Sequence, residues 1–367
     1  MSLGEPQHPI PKFVGPVLAE HLLDFGRYPI AKGIAPFRQA TASWLGRRFS
    51  LPRAVDPETE ILALNGSREG LFFAAIAAAR YVGDRRGNRQ DKPAILMPNP
   101  FYPAYGAGAR AADCEAIFLP TTLGNGFLPD LDALDEATLA RTVAMFIASP
   151  ANPQGAVASK EYFAKLHKLA DRFGFMILAD ECYSEIYTQA APGSMLEHAG
   201  LDFSNVIAFQ SLSKRSNLPG MRVGFAAGDS TFLAAYHELR NVAAPQVPVP
   251  LQHVAIAAYG DEAHVDENRR LYGIKFDLAD DILGHRFGYR RPAGGFCVWL
   301  DVSAHGGDEA ATLKLYKDAG VRVVPGSYLA RPQADGSNPG AGYIRLAMVQ
   351  DADTTAEALH RLVQILD

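Results

Sequence analysis

The sequence predicts an α/β protein with a large domain, built on a mostly parallel sheet flanked by helices, and a smaller α+β domain near the C-terminus. Three observations lead there. Short continuous apolar runs, each bounded by polar or Pro/Gly turns, recur through the first two thirds of the chain. Amphipathic helical stretches such as SKEYFAKLHKLADRFG separate them, which is the alternation of a sheet covered on both faces. After about residue 240 the texture changes to a proline-interrupted segment, long charged helical stretches and a few late strand-like runs.

In chain order, residues 1–60 open with prolines and pass into the helical pattern IAPFRQATASWLGRRFSL. ILAL is a short strand that meets the turn NGS and then an alanine-rich helix; this junction makes an anion site, because free N–H groups and the helix dipole point the same way. AILMPNP, AIFLP, TVAMFIASP, FMILAD and NVIAFQSLS read as further strands, followed by VGFAAG. NVAAPQVPVPLQHVAIAAYG and ENRRLYGIKFDLADDILGHRFG are largely helical, GGFCVWLDV and VRVVPGSYL read as strands of a smaller sheet, and AEALHRLVQILD closes the chain as a helix. The expected division is residues 1–40 as an N-terminal segment lining the substrate entrance, 41–245 as the large domain and 246–367 as the small one.

Composition narrows the function. At 48% hydrophobic, 20% charged and formal net charge −5, the chain is an ordinary globular one with no basic, aromatic-interleaved patch for nucleic acid. Its three cysteines, Cys114, Cys182 and Cys297, are far apart and offer no zinc spacing, so each reads as a small core residue of a reduced protein. No apolar run reaches the ~20 residues of a membrane span, and the N-terminus lacks the pattern of a signal peptide, so the expected compartment is the cytoplasm.

The residues that carry chemistry sit just past predicted strand ends, where open α/β sheets bind ligands. In SLSKRSNLPGMRVGF, Lys214 lies between small residues, with Arg222 eight positions on. Partial desolvation or a neighbouring cation turns a lysine into a nucleophile. Ser211, Ser213 and Arg222 suit a phosphate, and one lysine with a phosphate cradle is what a carbonyl cofactor such as pyridoxal 5'-phosphate requires. A polar loop with incidental charges has the same composition. Asp180 ends the apolar FMILAD, where a carboxylate is rare unless paired. A protonated pyridine nitrogen would pair with it; a helix N-cap, or a metal site with Glu181, are the other readings. Tyr183 is either a hydrogen-bond donor to such a ring or an aromatic at a junction. Asn152, in SPANPQG, is either a turn residue or a polar group at another strand end. Ser67 and Arg68 open the helix after NGS. Arg345, in YIRLAM, suits a carboxylate by its bidentate fork, or is simply a solvent-facing strand arginine.

Taken together and in order, NPFYPAY, SPANPQG, ADECYSEIY, SLSKRSNLPGMRVGF and YIRLAM resemble the class I/II aminotransferases, fold-type I pyridoxal-phosphate-dependent enzymes, along essentially the whole chain. SLGEPQHPIP, RYP, WLGRRFSL and NPGAGYIRLAMV most resemble the succinyldiaminopimelate aminotransferases of lysine biosynthesis. The resemblance implies that Lys214 carries the cofactor and moves a proton at the substrate Cα. It also implies that Asp180 pairs with the ring nitrogen, that Asn152 and Tyr183 bond its phenolic oxygen, and that Tyr102 stacks on the ring. Ser67, Arg68, Ser211, Ser213 and Arg222 would hold the phosphate, joined by Tyr28 from a partner subunit, which makes a homodimer with shared sites the expectation. Arg345 would bind the substrate α-carboxylate with help from Asn152 and the backbone of Gly4. The family pattern includes a helix ahead of GEP, and this chain starts almost at GEP; Val223 stands where relatives often carry a small polar residue.

The implied reaction transfers an amino group between glutamate/2-oxoglutarate and a dicarboxylic amino or keto acid, N-succinyl-LL-2,6-diaminopimelate first. The alternatives are an aspartate, aromatic or LL-diaminopimelate aminotransferase, a carbon–sulfur β-lyase, and a non-catalytic regulator on the same scaffold. Arg27, Lys32 and Arg38 are either cations for a substrate's far end or surface charge. No metal is expected.

Overall fold

Seven strands form the larger sheet of the computed structural model, which describes residues 1–87 and 91–367. They are β1 (Ile61–Leu64), β2 (Ala94–Asn99), β3 (Glu115–Pro120), β4 (Thr142–Ala148), β5 (Met176–Asp180), β6 (Val206–Ser211) and β7 (Gly224–Gly228). Their spatial order is β1-β7-β6-β5-β4-β2-β3. β7 runs antiparallel to both neighbours, and every other pairing is parallel. A second sheet, ordered β8-β10-β9, contains β8 (Cys297–Asp301), β9 (Val324–Pro325) and β10 (Tyr343–Ala347).

The central strands are buried along their whole length, as expected where helices cover both faces. Alternate residues feed two different cores. Ile177 and Ala179 join the cluster under the helix Ala35–Arg48, whereas Leu178 joins the one under Ser67–Arg86. A third apolar cluster lies between the small sheet and the helices Ala263–Leu283, Asp308–Ala319 and Ala352–Leu366.

VRVVPGSYL departs from the expected strand. Only Val324–Pro325 pairs, and Gly326–Leu329 turns as a 3-10 segment. Pro325 has no N–H for the ladder. Gly326 passes so close to its neighbours that a Cβ there would lie 2.2 Å from the Gly340 carbonyl oxygen.

The topology gathers one edge. The parallel strands β2, β4, β5 and β6 end beside Tyr102, Asn152, Asp180 and Lys214 respectively, and β1 ends at Asn65 and Gly66. Because β7 is reversed, it reaches the same edge with its beginning, just after Arg222.

Candidate active site

Two adjoining cavities, about 970 and 320 Å³, open at this edge and meet at Lys214. Ser211, Ser213 and Arg222 line the larger; Asn152, Asp180, Tyr183 and Arg345 line the smaller; Gly4, Ser67, Arg68, Tyr102 and Lys214 line both. Of the residues to which the resemblance gives a role, Tyr28 alone lines neither cavity: it is fully exposed.

The larger cavity has the chemistry of an anion cradle. The 20-residue helix Ser67–Arg86 starts at Gly66 with no side chain capping its first N–H groups. Ser211 Oγ lies 3.0 Å from Ser213 Oγ. The Arg222 guanidinium donates to the Pro219 carbonyl at 2.7 Å and to Ser213 Oγ at 3.4 Å. Gly66 has φ +80°, and a Cβ on it would lie 2.3 Å from Arg222 Nη2, so only glycine lets the guanidinium settle over the helix start. Hydroxyls, a guanidinium and uncapped amides are the donor set of a phosphate; of the two carboxylates that also line this cavity, Glu5 and Glu69, the latter is paired with Arg240.

The smaller cavity suits a planar cation and a carboxylate. Asp180 Oδ2 accepts from Tyr105 Oη at 2.7 Å, and Oδ1 accepts from the Cys182 N–H at 3.3 Å. Burial raises the pKa of the Asp180 carboxyl, and these hydrogen bonds work against the rise. Glu181 points away: it is buried and accepts from Ser194 Oγ, the Met195 N–H and Gln210 Nε2, which takes it out of any metal pair with Asp180. Lys214 is half-buried; burial pulls its ammonium below the ordinary lysine value and Arg222 adds to the effect. Its Nζ donates to the Gly4 carbonyl. Arg345 is central on β10, opposite Trp299 on one side and Val324 on the other, rather than on a solvent-facing edge. It donates to the Ser2 carbonyl at 2.7 Å and to Asn152 Oδ1 at 3.4 Å, and its Nε is buried with no partner among the described residues. Tyr183 packs edge-on against Phe296, with burial raising its pKa well above the phenol value.

Tyr102 caps the helix Pro103–Ala111, and its hydroxyl accepts from the Arg68 side chain at 2.7 Å, a contact beyond the backbone role expected of Arg68. Tyr105 went unread in the sequence although it lies inside NPFYPAY. Three residues after Tyr102, it falls within the first turn of that helix, and it stacks on Phe146 of β4 at 4.3 Å. The far wall of the smaller cavity, also unread, is Phe101, Phe127, Leu128 and Leu329 with the neutral polar pair Thr121 and Gln154, which are joined by a 2.9 Å hydrogen bond. The cations suggested for a substrate's far end line neither cavity. Arg38 is buried and committed to the Glu58 carboxylate at 2.7 Å and to the Pro57 and Gly33 carbonyls. Lys32 donates to the Glu58 carbonyl, and Arg27 is exposed.

The profile described as "Aminotransferase class I and II" matches residues 5–366. An LL-diaminopimelate aminotransferase of Desulforudis audaxviator is 34% identical over 369 residues, covering 99% of this chain and 88% of the relative. Among solved structures, an aminotransferase from Neisseria meningitidis superposes with a TM-score of 0.92 at 38% identity, over 100% of this chain and 91% of that one. A probable N-succinyldiaminopimelate aminotransferase from Thermus thermophilus does so with a TM-score of 0.87 at 26% identity, over 100% and 94%.

Proposed function

The chain belongs to the class I and II aminotransferases, which use pyridoxal 5'-phosphate, and on that premise we propose that it transfers an amino group between glutamate and a diaminopimelate-type 2-oxo acid, the N-succinyl form foremost. The observation that carries the reading is the half-buried lysine at the junction of the two cavities, with the anion cradle on one side and a central-strand arginine in the cavity on the other.

Serines 67, 211 and 213, with Arg68 and Arg222, would hold the cofactor phosphate, and Asp180 its ring nitrogen. Tyr102 would cover the ring, and Asn152 and Tyr183 would bond its phenolic oxygen. When bound, the cofactor supplies an electron sink for charge developing at the substrate Cα. Lys214, its ammonium weakened by burial, takes the Cα proton and returns it. Arg345 takes the substrate α-carboxylate with its planar fork, Asn152 orients that fork, and the Gly4 backbone closes over it.

The wall favours the succinylated substrate. Gln154 and Thr121 are neutral donor–acceptors suited to an amide, and no carboxylate lines that wall to receive a free ammonium. Unsuccinylated LL-diaminopimelate is the second reading, supported by what the 34%-identical relative is named for. Turnover of both with 2-oxoglutarate, alongside aspartate and kynurenine, decides between them. The highest kcat/KM is expected for the succinylated amine, and a tenfold preference for another donor overturns the assignment. Pyruvate released from cystathionine without a keto acid would reassign the chain as a lyase.

A homodimer is part of the proposal. Leu22, Leu23, Phe25, Tyr28 and Ile30 are all exposed within nine residues, an apolar strip that calls for a cover, and Tyr28 would reach the partner's phosphate. The division near residues 40 and 245 is proposed with it.

A further inference from the structure

The N-terminal segment passes the site, where Gly4 lines both cavities, and three of its carbonyls are tied there. The Met1 carbonyl accepts from the Ala347 N–H at 2.8 Å, the Ser2 carbonyl from Arg345, and the Gly4 carbonyl from Lys214. Met1 packs against the small-sheet core and Pro6 is buried; the first polar side chain of the segment to find hydrogen-bond partners on another element is His8. Its Nε2 lies 2.8 Å from Lys275 Nζ, its Nδ1 lies 2.7 Å from Asn268 Oδ1, and its ring packs at 4.5 Å on Tyr272.

These three partners are the i, i+4 and i+7 positions of one face of Ala263–Leu283, and all are buried. Lys275 also donates to the Gln350 carbonyl at 3.0 Å. Asn268 Nδ2 donates to the backbone carbonyls of Lys214 at 3.1 Å and Arg215 at 3.3 Å. The seat therefore ties the segment to the very residue that carries the lysine chemistry.

The donors fix the state of the ring. Lys275 as its ammonium can only donate, so His8 Nε2 must accept. Asn268 spends its amide N–H groups on two carbonyls, so its Oδ1 must accept from a protonated Nδ1. The seat reads one tautomer of the neutral imidazole and has no place for the cation.

We propose that His8 is the positioning residue of the N-terminal segment: seated on Asn268, Tyr272 and Lys275 it holds residues 2–5 over Arg345 and Lys214, and protonation of His8 turns that seat repulsive and releases the segment. The inference rests on the roles given to Arg345 and Lys214 above. The groups that bear on His8 are Lys275 and Asn268 in contact, the Tyr272 ring beneath it, and Glu267 farther out; those that bear on Lys275 are His8, the Gln350 carbonyl and Asp351. Burial lowers the His8 pKa, and Lys275 adds to that while Asn268 and Glu267 oppose it. Burial brings Lys275 down to about 7, so below that pH it is the donor-only ammonium that faces His8.

The sign follows. A released His8 protonates near its ordinary pKa of about 6.5, while the seated ring resists. The seat is therefore intact above about pH 6.5 and weakens as the pH falls below it.

Limited proteolysis of the whole protein between pH 5.5 and 8, normalised to an unstructured peptide, reads the seat directly. Cleavage within the first 13 residues of the wild type is expected to rise about tenfold from pH 7.5 to 5.5, as a segment leaving a few hydrogen bonds would. His8→Phe, which keeps a ring on Tyr272 and can make neither bond, is expected to be cleaved fast at every pH and to raise KM for the amino donor about tenfold with kcat within about twofold. Lys275→Met, checked for folding by thermal unfolding, is expected to behave likewise. Wild-type cleavage that ignores pH, or a His8→Phe protein cleaved and saturated like wild type, overturns the proposal. Visible absorbance on adding pyridoxal phosphate scores the site reading separately: a colourless protein overturns that reading, and the cleavage profiles still decide the seat.

Discussion

The two ends of the site are built differently. The anion cradle comes from short stretches, Gly66–Arg68 and Ser211–Arg222, each leaving a strand of one sheet, so the backbone alone sets its shape. The substrate end is a convergence: Arg345 from the small sheet, Asn152 from a turn after β4, and Ser2 and Gly4 from the N-terminal segment. A cradle of that kind loses affinity by degrees when one donor is removed. A convergence loses the function of the whole constellation when one member moves.

Lys214 belongs to both ends, and its replacement should have the largest effect. Lys214→Ala is expected to lower turnover by about 10³-fold or more, since general acid–base work alone is worth about 10²–10⁴. Fluorescence of the added cofactor should show that the cradle still binds it. A variant that keeps turnover within tenfold of wild type removes Lys214 from the chemistry.

Arg345→Lys separates the ends. Lysine keeps the charge but loses the fork, and the partners of Arg345 are placed for a fork. KM for both amino and keto substrates should rise about 10²-fold, the value of a lost bidentate charge-assisted contact, with cofactor affinity unchanged. Equal losses in cofactor and substrate affinity would show that the two ends are one unit.

Gly66→Ala tests the cradle in turn. The new methyl meets the Arg222 guanidinium at a backbone φ that disfavours side chains. Cofactor affinity should fall about tenfold with KM for substrates little changed, because the arginine is the far end of a flexible side chain and can give way.

The same contrast explains what the sequence made legible. The strands and the cradle announce themselves locally: ILALNGS and SLSKRSNLPGMRVG each carry strand end, turn and donor within a dozen residues. From its surroundings alone Arg345 reads equally as a carboxylate ligand or a solvent-facing strand arginine, because its meaning comes from Asn152, 193 positions away. Arg38 misled for the converse reason. Its charge was visible, but its burial against Glu58 and two carbonyls was not. The aromatic wall with Gln154 and Thr121 drew from loops that carry no periodicity to read.

Tyr105 gives the smallest expected effect and the finest test, since its ring packs edge-on against Tyr102 and its hydroxyl bears on the cofactor end through Asp180. Its hydroxyl donates to Asp180 Oδ2, and that bond favours the ionised carboxylate against a burial that disfavours it. Tyr105→Phe keeps the stack on Phe146 and removes only the donor. The Asp180 pKa must then rise further, so at any acid pH a smaller fraction of Asp180 carries the charge that the ring nitrogen needs. The acid limb of kcat should move to higher pH by about half a unit to one unit, the worth of one hydrogen bond to a charged group in part replaced by water, while kcat above the limb falls only a few-fold. Because Arg345 and Asn152 are untouched, KM should hold. An unmoved acid limb would mean that the Cys182 N–H and the site around it hold Asp180 ionised unaided, and that the tyrosine serves packing alone.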